Sequence, residues 1–223
     1  MQLEIELSSV FKVPLQVNIA VCSLSLEAFS EQERLLCSSI PTQQQKDNWL
    51  LGRTALKRLL ASKNQALPDT SRLIFPNREL SLSHKSNMAI AVRRIDNQPD
   101  GIGVDVEEIH HFKPEWAQFF LTPFERNLLR EKPPNKQSEI LCAYWSVKEA
   151  VYKADLGNKA FDLIDYEIND FLSGIGIVTN LRSKRQFHYY CRNLQTQELA
   201  DSKINTGILS FAIPLKNGES AAY

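Results

Sequence analysis

A chain of 223 residues is long enough to bury a sizeable core, as one large domain or two fused small ones. With 43% hydrophobic and 23% charged residues it has the composition of an ordinary globular protein, and no apolar stretch approaches the length of a membrane span. Lysine plus arginine equals aspartate plus glutamate at 26 each, so no overall field favours nucleic acid or an anionic membrane, and any anion site has to be built from a local cluster.

The N-terminus reads Met1-Gln-Leu-Glu-Ile-Glu-Leu, in which Leu3, Ile5 and Leu7 alternate with polar residues and predict an amphipathic strand. It lacks the basic start and apolar run of a signal peptide. Cys22, Cys37, Cys142 and Cys191 form no CxxC pair and match no zinc spacing, so they read as free thiols of a reducing, cytoplasmic protein. Leu15, Val17, Ile19 and Val21 alternate and predict a second strand. Ser30 with Glu33 forms a capping-box pattern ahead of a short helix over 31–38. Thr42 with Gln45 repeats the signal before a longer helix over 43–62, with Trp49, Leu56, Leu59 and Leu60 as its buried stripe and Gly52 as a point of close packing.

Leu73–Phe75 reads as a short strand, a further stretch begins at Leu82, and Met88–Val92 is strand-like. Asn97-Gln-Pro-Asp-Gly101 is the strongest turn signal in the chain, and strand 102–107 follows it. Thr122-Pro123-Phe124-Glu125 supplies an N-cap, a first-turn proline and an N3 glutamate. Lys132–Asn135 reads as a loop, a helix is predicted over 138–154 with Gly157 beyond its end, and 175–179, 186–191 and 207–213 read as a closing meander. The order predicts an α+β protein of two similar halves, 1–98 and 99–223, although no sequence repeat is visible.

Three segments carry chemistry. In Ile102-Gly-Val-Asp105-Val-Glu107, Gly103, Asp105 and Glu107 share one face of a strand, though an isolated D-x-E pair is common and often only a solvated edge. In Trp145-Ser-Val-Lys148-Glu149-Ala-Val-Tyr152-Lys153, Trp145, Glu149 and Lys153 fall on one helical stripe with Lys148 beside it. Ser81-Leu-Ser83-His84-Lys85 sets a histidine between hydroxyls and a lysine, which suits phosphate contacts. Asp105, Glu107 and Glu149 together make an all-oxygen donor set for a hard cation such as Mg2+, and Lys148, Lys153 and His84 are placed to face phosphate oxygens.

Gly101-Ile-Gly-Val-Asp105-Val-Glu107, followed at a distance by Trp145-Ser-Val-Lys148-Glu149-Ala-Val-Tyr-Lys153, resembles the paired signature of the 4′-phosphopantetheinyl transferases, and Ser83-His84 resembles that family's serine–histidine strand. The long leader before the acidic strand resembles the Sfp-type subgroup. The resemblance implies two pseudo-symmetric α+β halves with coenzyme A in the cleft between them, and transfer of the phosphopantetheine arm to a serine of an apo acyl or peptidyl carrier protein with release of 3′,5′-ADP. It implies Mg2+ on Asp105, Glu107 and Glu149. It implies phosphate contacts from Lys148, Lys153, Ser83 and His84, and a 3′-phosphate contact from Arg34. It further implies an adenine-side helix around Trp49–Arg53. The glycine–lysine–proline loop of relatives is replaced here by Phe75-Pro76-Asn77-Arg78, with Arg78 standing in for the lysine, and Lys85 follows His84 where relatives often place serine.

The candidate base is Glu149, directly or through a water of the metal, with Glu125 as second candidate beside its capping role. Phe112-Lys113 and Phe119-Phe120-Leu121, with His110-His111, are candidates for a carrier-facing surface, although core is the better reading for Phe119 and Phe120. No nucleic-acid or membrane partner is expected, and two fused halves make a monomer the simplest state. Another Mg2+-dependent phosphoester hydrolase, or a non-catalytic module that binds coenzyme A or a carrier, is the alternative.

Overall fold

The computed structural model describes residues 2–61, 66–96, 100–109, 112–158, 160, 162–169, 174–194, 204 and 206–215. Helix α1 (Gln2–Phe11) precedes strand β1 (Leu15–Ala20). Helices α2 (Glu31–Ser38) and α3 (Gln43–Leu60) follow, then the hairpin β2 (Leu80–Lys85) and β3 (Met88–Arg94). Strand β4 (Gly103–Glu108) opens the second half. It leads to α4 (Ala117–Phe120), α5 (Pro123–Arg130) and α6 (Pro134–Ala154). The chain ends in β5 (Tyr166–Ile168), β6 (Ile175–Asn180), β7 (Gln186–Asn193) and β8 (Gly207–Pro214). The strands form two antiparallel sheets, ordered β1-β3-β2 and β4-β8-β7-β6-β5, so the fold is α+β with one long helix laid on each sheet.

The period-two pattern of each strand sorts its side chains between two cores. Ala89 and Ala91 of β3 face α3, whereas Met88, Ile90 and Val92 face away from it. In the second sheet Ile208 and Ala212 face α6, while Leu209, Phe211 and Ile213 join Val104 and Val106 on the other side. The faces turned away from the two helices share a single cluster, which α1 enters with Leu7 and Phe11. The two halves are therefore joined by a common core.

Residues 2–11 are a helix, not the strand their alternation predicts. Leu3, Leu7, Val10 and Phe11 also fit a helical stripe, and that is the face packed on the shared core while Ile5 stands 65% exposed. Leu73–Phe75 is not a strand either: it is irregular chain that enters a bend at Phe75-Pro76, with Ile74 exposed. Helix α6 starts at Pro134, earlier than predicted, because a proline at the first helical position costs no hydrogen bond. The Asn97–Pro99 part of the predicted turn and the pair His110-His111 lie outside the described residues.

A repeat hidden from sequence inspection emerges in the packing. Helices α2 and α5 both span eight residues and both begin with a complete capping box, Ser30/Glu33 and Thr122/Glu125. Each N3 glutamate also receives a fully buried lysine from the next long helix, Lys57 at 2.7 Å and Lys148 at 2.6 Å. Each takes a backbone N–H from a later segment, Thr70 at 2.9 Å and Ile168 at 2.8 Å. Each lysine donates to one carbonyl as well, of Pro68 and of Phe120. The two halves thus carry the same buried clamp.

Candidate active site

The edges of the two sheets meet at β2 and β4, and serine hydroxyls stand where a backbone ladder would otherwise run. The Val104 N–H donates to Ser81 Oγ at 3.0 Å and the Val106 N–H to Ser83 Oγ at 3.4 Å. This seam satisfies an exposed edge without merging the sheets. It also sets Ser83 beside Asp105, to which its hydroxyl donates at 2.8 Å.

Gly103 explains why α6 lies so close. A Cβ there would stand 1.7 Å from the Ala150 carbonyl oxygen, so only glycine lets the helix backbone reach the strand. Gly101, at φ 110°, closes the approach two residues earlier: its own Cβ would stand 2.2 Å from the Ala154 oxygen. With the helix drawn in, Lys153 Nζ donates to Asp105 Oδ1 at 2.8 Å, to the Val104 carbonyl at 3.1 Å and to Ser83 Oγ at 3.2 Å, and stands 3.8 Å from Glu149. Lys85, at the end of β2, pairs with Glu107 at 2.6 Å.

These groups surround a cavity of about 550 Å³ lined by Asp105, Glu107, Glu149, Tyr152 and Lys153 on one side and by Ser81, Ser83, His84 and Phe75–Asn77 on the other. Burial pushes the Glu149 carboxyl up to about 7, with the Asp105 charge adding to it and Lys153 offsetting part. Burial and Asp105 raise Glu107 likewise, against the pull of Lys85. His84 sits exposed at the rim, yet loss of hydration and the Lys153 ammonium hold its pKa below the ordinary histidine value, so it is neutral at pH 7.

The donor set can be tested against a hard divalent cation. Three carboxylates line one cavity, and Asp105 Oδ2 is buried without a hydrogen-bond partner, as a ligand oxygen facing a cation is. The chemistry fits. As the side chains stand, however, no three of His, Cys, Asp and Glu among the described residues form a group set to hold a metal ion, and lysine ammoniums sit on Asp105 and Glu107.

The structure thus brings together Ser83, His84, Asp105, Glu107, Glu149 and Lys153. It does not bring Lys148 or Glu125 to the cavity. Both are fully buried on another side of α6, paired with each other, with burial raising Glu125 and lowering Lys148 against the attraction between them. Lys148 precedes Glu149 by one residue, about 100° around a helix, so the two cannot share a face. Arg34, Arg53 and Arg78 do not line the cavity. Arg34 donates to the Phe29 carbonyl, and Arg53 donates to the Thr70 carbonyl and stacks on Trp49. Arg78 lies next to the lining residue Asn77, and its carbonyl accepts the Gly101 N–H. Sequence reasoning missed the Lys85–Glu107 pair and the place of Tyr152 in the wall. The i, i+4 relation of Trp145 to Glu149 held the signal for the helix face, and Trp145 packs edge-on against Phe120 at 5.2 Å. Phe120 is buried as expected, whereas Phe119 is 70% exposed.

Residues 101–206, the segment that carries β4 and α6, match the family model of the 4′-phosphopantetheinyl transferase superfamily. Comparison with curated proteins gives no match. Among solved structures, the chain is similar to a holo-[acyl-carrier-protein] synthase of Thermotoga maritima at 17% identity and TM-score 0.39, covering 53% of this chain and 64% of that one. It is also similar to a holo-(acyl-carrier-protein) synthase of Bacillus anthracis strain Ames in complex with CoA (3′,5′-ADP), at 17% identity and TM-score 0.41, covering 52% of this chain and 97% of that one. Both scores lie below 0.5. No described helix is long and apolar enough to cross a membrane.

Proposed function

We propose that the protein moves the 4′-phosphopantetheine arm of coenzyme A onto a serine of an apo acyl or peptidyl carrier protein, leaving 3′,5′-ADP. The observation that carries this reading is the meeting of Asp105 and Glu107 from β4, Glu149 and Lys153 from α6, and Ser83 and His84 from β2 around one cavity. In this reading Asp105, Glu107 and Glu149 hold Mg2+. Bound there, the ion supplies charge neutralisation for the pyrophosphate oxygens. Lys153 adds a fixed positive charge at the same place, and neutral His84 offers a hydrogen bond at the rim. The serine hydroxyl attacks the phosphorus on the pantetheine side, and the bond to the 3′,5′-ADP oxygen breaks. Glu149 is the candidate to take the serine proton, since Lys153 stands off from it at 3.8 Å and leaves its carboxylate less engaged than that of Asp105. Glu125 has no part in this scheme.

The same reading takes 1–98 and 99–223 as the two halves of an Sfp-type member, monomeric and cytoplasmic, with exposed Trp116, Phe119 and Phe124, which follow the acidic strand in the chain, as the carrier-facing surface. One assay tests the function. The protein is incubated with coenzyme A, Mg2+ and an apo carrier protein, and the carrier is weighed by mass spectrometry. Gain of one phosphopantetheine on the carrier serine is expected. Release of phosphate or nucleotide without a carrier would instead identify a hydrolase, and coenzyme A binding without transfer a binding module.

A further inference from the structure

The acidic cluster contains a resident cation of its own. Lys85 Nζ lies 2.6 Å from Glu107 Oε2, the shortest of the three lysine–carboxylate pairs at the site, and both partners are partly shielded, with side-chain exposures of 32% and 14%. Asp105 shares its Lys153 partner with Ser83, the Val104 carbonyl and the nearby Glu149, whereas Glu107 takes the Lys85 ammonium and a backbone N–H of Glu108. Lys85 is fixed in place by strand geometry. It is paired directly with Met88 across the β2–β3 hairpin, and Ser86 beyond it is tied to Glu108 at 3.2 Å. The ammonium is therefore presented to Glu107 by a short, well-anchored turn. As the side chains stand, no three of His, Cys, Asp and Glu among the described residues form a group set to hold a metal ion, and the Lys85 ammonium sits on Glu107.

We propose that Lys85 is an internal competitor for the divalent cation. It holds Glu107 away from metal binding, so that the resting site offers Asp105 and Glu149, and Glu107 becomes a ligand only when the cation displaces the ammonium. Lys85 is thus a positioning residue that sets cation affinity through Glu107. This rests on the reading that the three carboxylates hold a cation.

The experiment is titration calorimetry of Mn2+ and of Mg2+ into the full chain without coenzyme A. It uses wild type, Lys85→Met, Lys85→Arg, Glu107→Gln and the double variant. Lys85→Met is expected to tighten cation binding about fivefold or more, the lower end of ordinary coupling between sites. Lys85→Arg, which retains a cation against the carboxylate, is expected to stay within about twofold of wild type. In the Glu107→Gln background the effect of Lys85→Met should shrink to less than about twofold, since the two residues act as one pair. A charge acting only through space would tighten binding equally in both backgrounds, and that result overturns the proposal, as does unchanged or weaker binding in Lys85→Met. Lys85→Gln serves as the second neutral variant, with circular dichroism to confirm the fold. If neither wild type nor Lys85→Met binds a cation, the cation reading itself falls and the proposal with it. If cations bind as described but no carrier is modified, only the transferase reading falls.

Discussion

The two halves carry one clamp and differ in what stands beside it. In the first half Glu33 holds Lys57, and in the second Glu125 holds Lys148, with the same cap, the same buried ammonium and the same added N–H. The divergence begins one residue later. Lys57 is followed by Arg58, whereas Lys148 is followed by Glu149. Helix α3 ends at Leu60, three residues past its lysine, but α6 runs to Ala154, six past its own, and the added turn carries Lys153 to Asp105. The clamp is structural framework shared by both halves, and the proposed chemistry lies on the longer helix of one of them.

The largest expected effect tests the unshared part. Asp105→Ala and Glu149→Gln should each lower the transfer rate by at least about 10²-fold, the usual cost of removing a group aimed at developing charge. The fold should survive, because Ser83 and Lys153 keep other partners. Full activity in either variant, measured as carrier modification, would separate these carboxylates from the reaction.

The shared part predicts equal losses of a different kind. Lys57→Met and Lys148→Met should each destabilise the fold by about 3–5 kcal/mol, since each leaves a buried carboxylate without its ion-pair partner. Urea unfolding measures both. Rates per folded molecule should remain near wild type in each. If Lys148→Met or Glu125→Gln loses rate far beyond its loss of stability while Lys57→Met does not, the second clamp has acquired a catalytic role and the symmetry is broken.

Local signals made much of this legible. Both capping boxes, the acidic strand and the stripe Trp145–Glu149–Lys153 rest on rules that act within a few residues. What stayed hidden depends on contacts between distant segments. Glu33 and Lys57 are 24 residues apart and Glu125 and Lys148 are 23, and nothing local marks either as a pair. Lys148 reads as a phosphate contact because it neighbours Glu149 in sequence, while the helix turns it into the core. In residues 2–11 the short apolar pattern satisfies both periods, and only the shared core selects the helix. Leu73–Phe75 is apolar enough for a strand, but the described sheet ends at β2, whose free edge is taken by the seam to β4.

The glycines sharpen the comparison at the scale of one methyl group. Gly103→Ala pushes a Cβ into the Ala150 carbonyl, which is backbone and cannot step aside, so α6 must move off β4. The expected cost is about 1–3 kcal/mol or more, and a loss of transfer rate should accompany it as Lys153 and Glu149 move with the helix.

Gly52→Ala is the counterpart in the first half and the smallest effect. Its Cβ would meet only the end of the Leu82 side chain, at 3.0 Å, and a leucine methyl can rotate away. Alanine is favoured over glycine within a helix by about 1 kcal/mol, which opposes the cost of that adjustment. Stability should therefore change by less than about 1 kcal/mol in either direction. Leu82 lines the cavity on the β2 side, so a small shift there is expected to alter the Michaelis constant for coenzyme A more than the turnover rate. Steady-state kinetics at saturating carrier separates the two. A fall in turnover with an unchanged Michaelis constant would mean that the first half contributes to the chemical step, and not only to the wall against which the substrate rests.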